Sequence, residues 1–89
     1  MATIRIPTVL RPLAGGAPVL KSPAQTLSAL RADLSARFPP LAARLYAADG
    51  ALQEYVNVFV DGNEARELAA DAPISPDAEV VLLPAVSGG

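Results

Sequence analysis

A chain of 89 residues with 52% apolar and 18% charged side chains has enough apolar surface for one folded domain and is not an intrinsically disordered sequence. A formal charge of −2, with Lys21 the one lysine among seven basic side chains, excludes the basic stripe that nucleic-acid binding requires. Cysteine and histidine are both absent, which removes disulfides, a thiolate nucleophile, an imidazole acid/base and the soft ligands of a zinc site.

Thr3 to Ile6 alternates polar and apolar side chains, the period of a strand with one buried face, and Ile4 and Ile6 are its inward pair. Pro7 has no N–H to give to a sheet, so a break is expected there before Val9 to Arg11 continue the strand. Gly15-Gly16 suits a reversal, and Val19 to Lys21 then return as the second arm of a hairpin. Ser22 or Thr26 offers a cap for a helix whose apolar stripe is Leu27, Leu30, Leu34 and Phe38. Pro39-Pro40 stops that helix, and a short second helical turn is expected around Leu41 to Leu45.

After a turn at Asp49-Gly50, Tyr55 to Val60 is the clearest strand, with Val56, Val58 and Val60 on one face and Tyr55, Asn57 and Phe59 on the other. Asp61-Gly62 turns the chain into a short edge strand within Asn63 to Leu68. Ala69 to Asp77 reads as an ordered loop, and a last strand runs from Glu79 to Leu83, closed by Pro84. This order predicts an α+β protein of β-grasp architecture: a mixed sheet of four to five strands packed on one main helix, with the first and last strands parallel at its centre. The domain then occupies residues 1–84 and a tail residues 85–89. If Val80 and Leu82 point inward, Val81 and Leu83 point outward beside Phe59 and Tyr55. These four residues form an expected partner-docking face at the root of the tail, with a covering of loops as the competing reading.

Other motifs carry less. Gly15 to Ser22 approaches the phosphate-loop pattern, but Leu20 stands at its second glycine and Pro18 removes an amide the cradle needs. Glu64 with Glu67, and Asp71 with Asp77, read as solvated surface, because paired carboxylates do acid/base work only within a cleft. Arg5 and Arg11 are candidate contacts for an acidic groove on a partner. No apolar run approaches the ~20 residues of a membrane span, and Met1 to Arg5 is too polar for a signal peptide, so a cytoplasmic location with no membrane contact is expected.

Ala85-Val86-Ser87-Gly88-Gly89 has no partner in the strand pattern and can reach about 17 Å. A terminal glycine pair arises by chance in roughly 0.5% of chains. Two residues without Cβ make a thin thread able to enter a narrow active site. Its end is an α-carboxylate, anionic at neutral pH and able to attack the α-phosphate of a nucleotide.

The predicted β-grasp order together with Gly88-Gly89 resembles the ubiquitin-like sulfur-carrier family of the MoaD/ThiS type. Within it, Ile6 to Pro12 with Gly15-Gly16, Val56-Asn57-Val58 and Leu83 to Gly89 are most similar to the actinobacterial carriers of O-phosphoserine-dependent cysteine biosynthesis. The resemblance implies that a ubiquitin-activating-type enzyme spends ATP to adenylate Gly89, and that a sulfur source then yields a thiocarboxylate. It implies that Val86, Ser87 and Gly88 thread into partner active sites, and that the chain has no catalytic residue, bound cofactor or metal. The implied partners are the activating enzyme, a sulfur-accepting synthase and a metal-dependent peptidase. The synthase would be a pyridoxal-phosphate-dependent cysteine synthase, or one making molybdopterin, a thiazole or a thiosugar. The alternative from another class is a covalent protein modifier joined to its targets through Gly89.

Overall fold

In the computed structural model, residues 1–84 are described. The tail residues Val86, Ser87, Gly88 and Gly89 therefore lie outside the described residues. The strands are β1 (Ala2–Arg5), β2 (Val19–Ser22), β3 (Val56–Val60), β4 (Asn63–Glu64) and β5 (Glu79–Pro84), and the helices are α1 (Leu27–Arg37) and α2 (Pro39–Leu45). The sheet order is β2-β1-β5-β3-β4. β1 and β5 are parallel, while β2 pairs with β1, and β3 with both β5 and β4, antiparallel. The last strand thus lies in the middle of the sheet, held by a neighbour on each side, as the β-grasp expectation required.

Alternation decides the core. Ile4, Val80, Leu82, Val56, Val58 and Val60 all face the helices and are buried. α1 meets them with Leu30 and Leu34, and α2 adds Leu41 and Leu45. Each fully buried leucine contributes about 1.5–3 kcal/mol relative to exposure, so these four side chains anchor the two short helices to the sheet. α1 begins where Thr26 Oγ1 accepts the Ala29 amide at 3.1 Å, and Ser22 is not its cap. α1 ends where Phe38, biased by the following proline, adopts φ −135° and ψ 69°. Pro39 then opens α2, at a helix start where its missing N–H costs nothing.

Three expectations need correction. Val9 to Arg11 do not resume the strand; Thr8–Ala14 is a 3-10 helix containing Pro12 and ended by Gly15 at φ 67°. Ile6, Leu10 and Ala14 are buried while Thr8 and Pro12 between them are exposed, whereas a strand would put all five on one face. The edge strand expected within Asn63 to Leu68 covers only Asn63–Glu64, and Ala65–Glu67 is a 3-10 turn that buries Ala65. β5 continues through Pro84. There, Val56 spends its N–H on the Gln53 carbonyl at 3.2 Å and its own carbonyl on Arg66 at 3.1 Å. The Val56–Pro84 pair therefore needs no ladder bond, so proline fits without loss.

The loop before β5 is ordered for a reason that its composition hides. Ile74 is buried, and its amide bonds the Gln25 carbonyl at 2.8 Å, while the carbonyls of Ala72 and Ala70 accept the Leu27 and Ser28 amides at the start of α1. The segment straps the helix N-terminus and satisfies donors that would otherwise be orphaned.

Candidate functional site: the open sheet face at the end of β5

The side chains that alternate away from the core build the other face of the sheet. Strand register arranges them in rows. Phe59 lies opposite Val81, which lies beside Arg5, which lies opposite Val19. One step toward the end of β5, Asn57 faces Leu83; one step the other way, Thr3 stands between Lys21 and Glu79. Among the described residues no helix packs on this side. Leu83 is 46% exposed, and Phe59 and Val81 are half-buried by one another and by the row they share. Tyr55 lies one residue ahead of β3, in the turn, and is 47% exposed.

The face has a polarity. Its charged groups gather away from Pro84: Lys21 Nζ donates to Thr3 Oγ1 at 2.6 Å, and Arg5 Nε pairs with Glu79 Oε2 at 3.2 Å. Toward Pro84 the outward-facing groups are Phe59, Val81, Leu83 and the Asn57 amide. An apolar end beside the strand terminus and a charged rim farther off is the layout of a protein–protein contact with a dry centre and wet edge. Of the four residues expected there, the register brings Phe59, Val81 and Leu83 together on adjoining rows, and Tyr55 stands just beyond them. Asn57 shares the face of Phe59, as the alternation of β3 predicts, and the hairpin register adds Val19, which alternation alone does not assign.

Arg5 is on this face, but Arg11 is not available to it: Arg11 Nε donates to the Ile6 carbonyl at 3.1 Å. The segment that resembles a phosphate loop is the end of a 3-10 helix followed by β2, so no helix N-terminus stands behind its glycines. Glu64 pairs with Arg66 at 3.4 Å instead of with Glu67. Among the described residues no group of three acidic, histidine or cysteine side chains is placed to hold a metal ion, and no helix is long and apolar enough to cross a membrane.

This is the architecture of small carrier proteins that present a strand end and its flanking face to other enzymes. The chain belongs to the ThiS family, whose model matches residues 4–89, and it is a sulfur carrier of the ThiS/MoaD type, without catalytic activity of its own. It is 36% identical over 90 residues to the sulfur carrier protein CysO of Mycobacterium tuberculosis, covering 98% of this chain and 97% of that one. The crystal structure of that organism's CysO superposes with a TM-score of 0.83 at 32% identity, covering 97% and 100% of the two chains. A chain of the Amycolatopsis orientalis BexX/CysO complex superposes with a TM-score of 0.87 at 29% identity over the whole of both chains. Members of the family work with activating enzymes and with proteins that accept the sulfur.

Proposed function

We propose that Gly89 is the residue that carries the sulfur. Its α-carboxylate oxygen attacks the α-phosphate of ATP in the active site of a ubiquitin-activating-type enzyme, releasing pyrophosphate and leaving an acyl-adenylate. Sulfide from a sulfur donor then displaces AMP, and the carboxylate becomes a thiocarboxylate. Val86, Ser87 and Gly88 enter the partner's channel, while Phe59, Val81, Leu83 and Tyr55 form the surface on which the partner rests. The observation that carries this reading is the match of the family to residue 89 on a chain whose last described strand is central and clamped on both sides. A rigid stem of that kind holds the tail's origin at a fixed place relative to the docking face, which lowers the ordering cost of each encounter.

The acceptor we propose is a pyridoxal-phosphate-dependent synthase that makes cysteine from O-phosphoserine, in the cytoplasm, with a metal-dependent peptidase releasing the product. Whole-length similarity to CysO proteins supports it over a molybdopterin, thiazole or thiosugar acceptor. The test is intact mass spectrometry after incubation with ATP, sulfide and the activating enzyme, followed by addition of the synthase and O-phosphoserine. Exchange of one terminal oxygen for sulfur, absent when Gly89 is deleted, is the expected result; cysteine formation then identifies the acceptor. An unchanged mass with an enzyme active on another carrier overturns the reading, and conjugates to other proteins that vanish with Gly89 would replace it with a modifier.

A further inference from the structure

Val58 and Phe59 are adjacent in β3 yet face opposite sides of the sheet. Phe59 belongs to the open face, whereas Val58 lines a groove on the helix side with a volume of about 570 Å³, well within the ~300–1,000 Å³ of ligand pockets. The groove lies between α1, the segment from Tyr46 to Leu52 and the 3-10 turn after β4. Its floor is apolar: Leu30, Val58 and Ala65 are buried, and Leu27, Leu52 and Leu68 are partly exposed around them.

Its polar groups are unequal. Arg66 is occupied, donating to the Gln53 carbonyl at 2.7 Å and the Val56 carbonyl at 3.1 Å and pairing with Glu64. Asp49 turns its carboxylate onto the Ala51 amide at 3.0 Å. The first amides of α1 are taken by the Ala72 and Ala70 carbonyls and by Thr26, so the helix end has no donors to offer an anion. Arg31 differs from all of these. It is exposed, has no hydrogen-bond or ion-pair partner among the described residues, and lies against the turn at Gly50, where a Cβ would meet its Nη1 at 2.8 Å. Glycine at that turn leaves the guanidinium room at the rim of the apolar floor.

We infer that this groove receives a segment of a partner protein in which one large apolar side chain fills the floor and an adjacent carboxylate pairs with Arg31. Charge complementarity selects an acidic segment, since a chain of net charge −2 presents here a cation without an ion-pair partner among the described residues, beside an apolar floor that a seated segment desolvates, which strengthens the pair. Because the groove and the open sheet face lie on opposite sides of β3, a protein seated in it leaves Phe59, Val81 and Leu83 uncovered. The carrier can then be held by one protein while another works on it.

The test is independent of activation at Gly89. The intact ¹⁵N-labelled protein is titrated with acetyl-Glu-Trp-Leu-Glu-amide and with its charge-reversed counterpart acetyl-Lys-Trp-Leu-Lys-amide, following backbone amide shifts. The acidic peptide is expected to move the amides of Leu27, Arg31, Gly50 and Leu68 and to leave Val81 and Leu83 in place, and the basic peptide to bind at least tenfold more weakly. Arg31→Glu, at an exposed position, is expected to keep the native spectrum and to invert the preference, with Arg31→Gln abolishing it. Shifts confined to Val81 and Leu83, equal affinity for the two peptides, an unchanged preference in Arg31→Glu, or no shifts at millimolar peptide would each overturn the proposal.

Discussion

The Ser22 hydroxyl donates to Asp33 Oδ2 at 2.7 Å and so ties the outermost residue pair of the β1–β2 hairpin to the middle of α1. Ser22 is fully buried, and its oxygen also accepts the Ala24 amide at 3.2 Å. Arg37 closes the cluster, bonding both Asp33 oxygens at 3.0 and 2.7 Å and the Lys21 carbonyl at 2.8 Å. A single small hydroxyl thus satisfies two elements at once. Ser22→Ala strands the Ala24 amide and one lone pair of Asp33, and is expected to cost about 1–2 kcal/mol, measurable as a lower midpoint of urea unfolding with an unchanged slope.

The same cluster sets a pH dependence. The Arg37 hydrogen bonds hold the Asp33 carboxyl below its usual 3.8, against the opposing effect of burial, and the Ser22 hydroxyl and the Arg37 charge add to the lowering. A carboxylate with a depressed folded-state value contributes stability that is complete above the unfolded value and is lost as pH falls through the folded one. Asp33 therefore stabilises the fold fully at neutral pH, begins to lose that contribution as pH falls below about 3.8, and has lost it only below its lowered folded-state value. Arg37 is 41% exposed, so solvent screens the pair and Asp33→Asn is expected to cost only about 1 kcal/mol near neutrality. Thermal melts between pH 2 and pH 7 check this: the difference between wild type and variant is to shrink toward the acid end.

The parts of this molecule written in local alternation are legible in the sequence. Thr3 to Ile6, Val56 to Val60 and Glu79 to Leu83 each carry a period of two over enough residues to fix which face is buried, and Leu27, Leu30 and Leu34 do the same at helical spacing. What escaped was long-range. Val9 to Arg11 looked like strand because β-branched and aliphatic residues are strand formers, yet Pro7 and Pro12 leave too few amides for a ladder, and the burial of Leu10 and Ala14 depends on α2 lying beside them. Ile74 is a lone apolar residue between Pro73 and Pro76, and only its bond to Gln25 explains its order. The groove beside Arg31 was invisible for the same reason, since its walls come from α1, the 46–52 segment and the residues after β4. The candidate face was legible where it follows the period, at Phe59, Val81 and Leu83. Asn57 follows the same period, whereas Val19 required the hairpin register.

Leu83 gives the most direct measure of the docking face. It is 46% exposed opposite Asn57 on β3, so Leu83→Asp removes little buried area and is expected to change stability by less than about 1 kcal/mol. If the activating enzyme rests on this surface, kcat/KM for adenylation with the variant as substrate falls by at least about tenfold, the loss expected for one well-packed contact. Val19→Asp is the control, at a residue of comparable 36% exposure on the same face but on the outer strand β2. A loss specific to Leu83 places the contact beside the strand end; equal losses would show only a sensitivity to added negative charge.

Gly50 and Gly62 separate backbone cost from side-chain displacement. Both have positive φ, 89° and 84°, where an L-residue is strained, so alanine at either is expected to cost about 1–2 kcal/mol. Their surroundings differ: a Cβ at Gly62 meets nothing within 4 Å, whereas one at Gly50 meets Arg31 Nη1 at 2.8 Å and Cζ at 3.1 Å. The atoms in the way are the far end of a flexible side chain, which swings aside at little cost. Gly50→Ala and Gly62→Ala are therefore expected to unfold at similar denaturant concentrations, while only Gly50→Ala shifts the Arg31 Nε–H resonance. A markedly larger destabilisation of Gly50→Ala, relieved by adding Arg31→Ala, would mean instead that the guanidinium is fixed against the turn and helps to hold it.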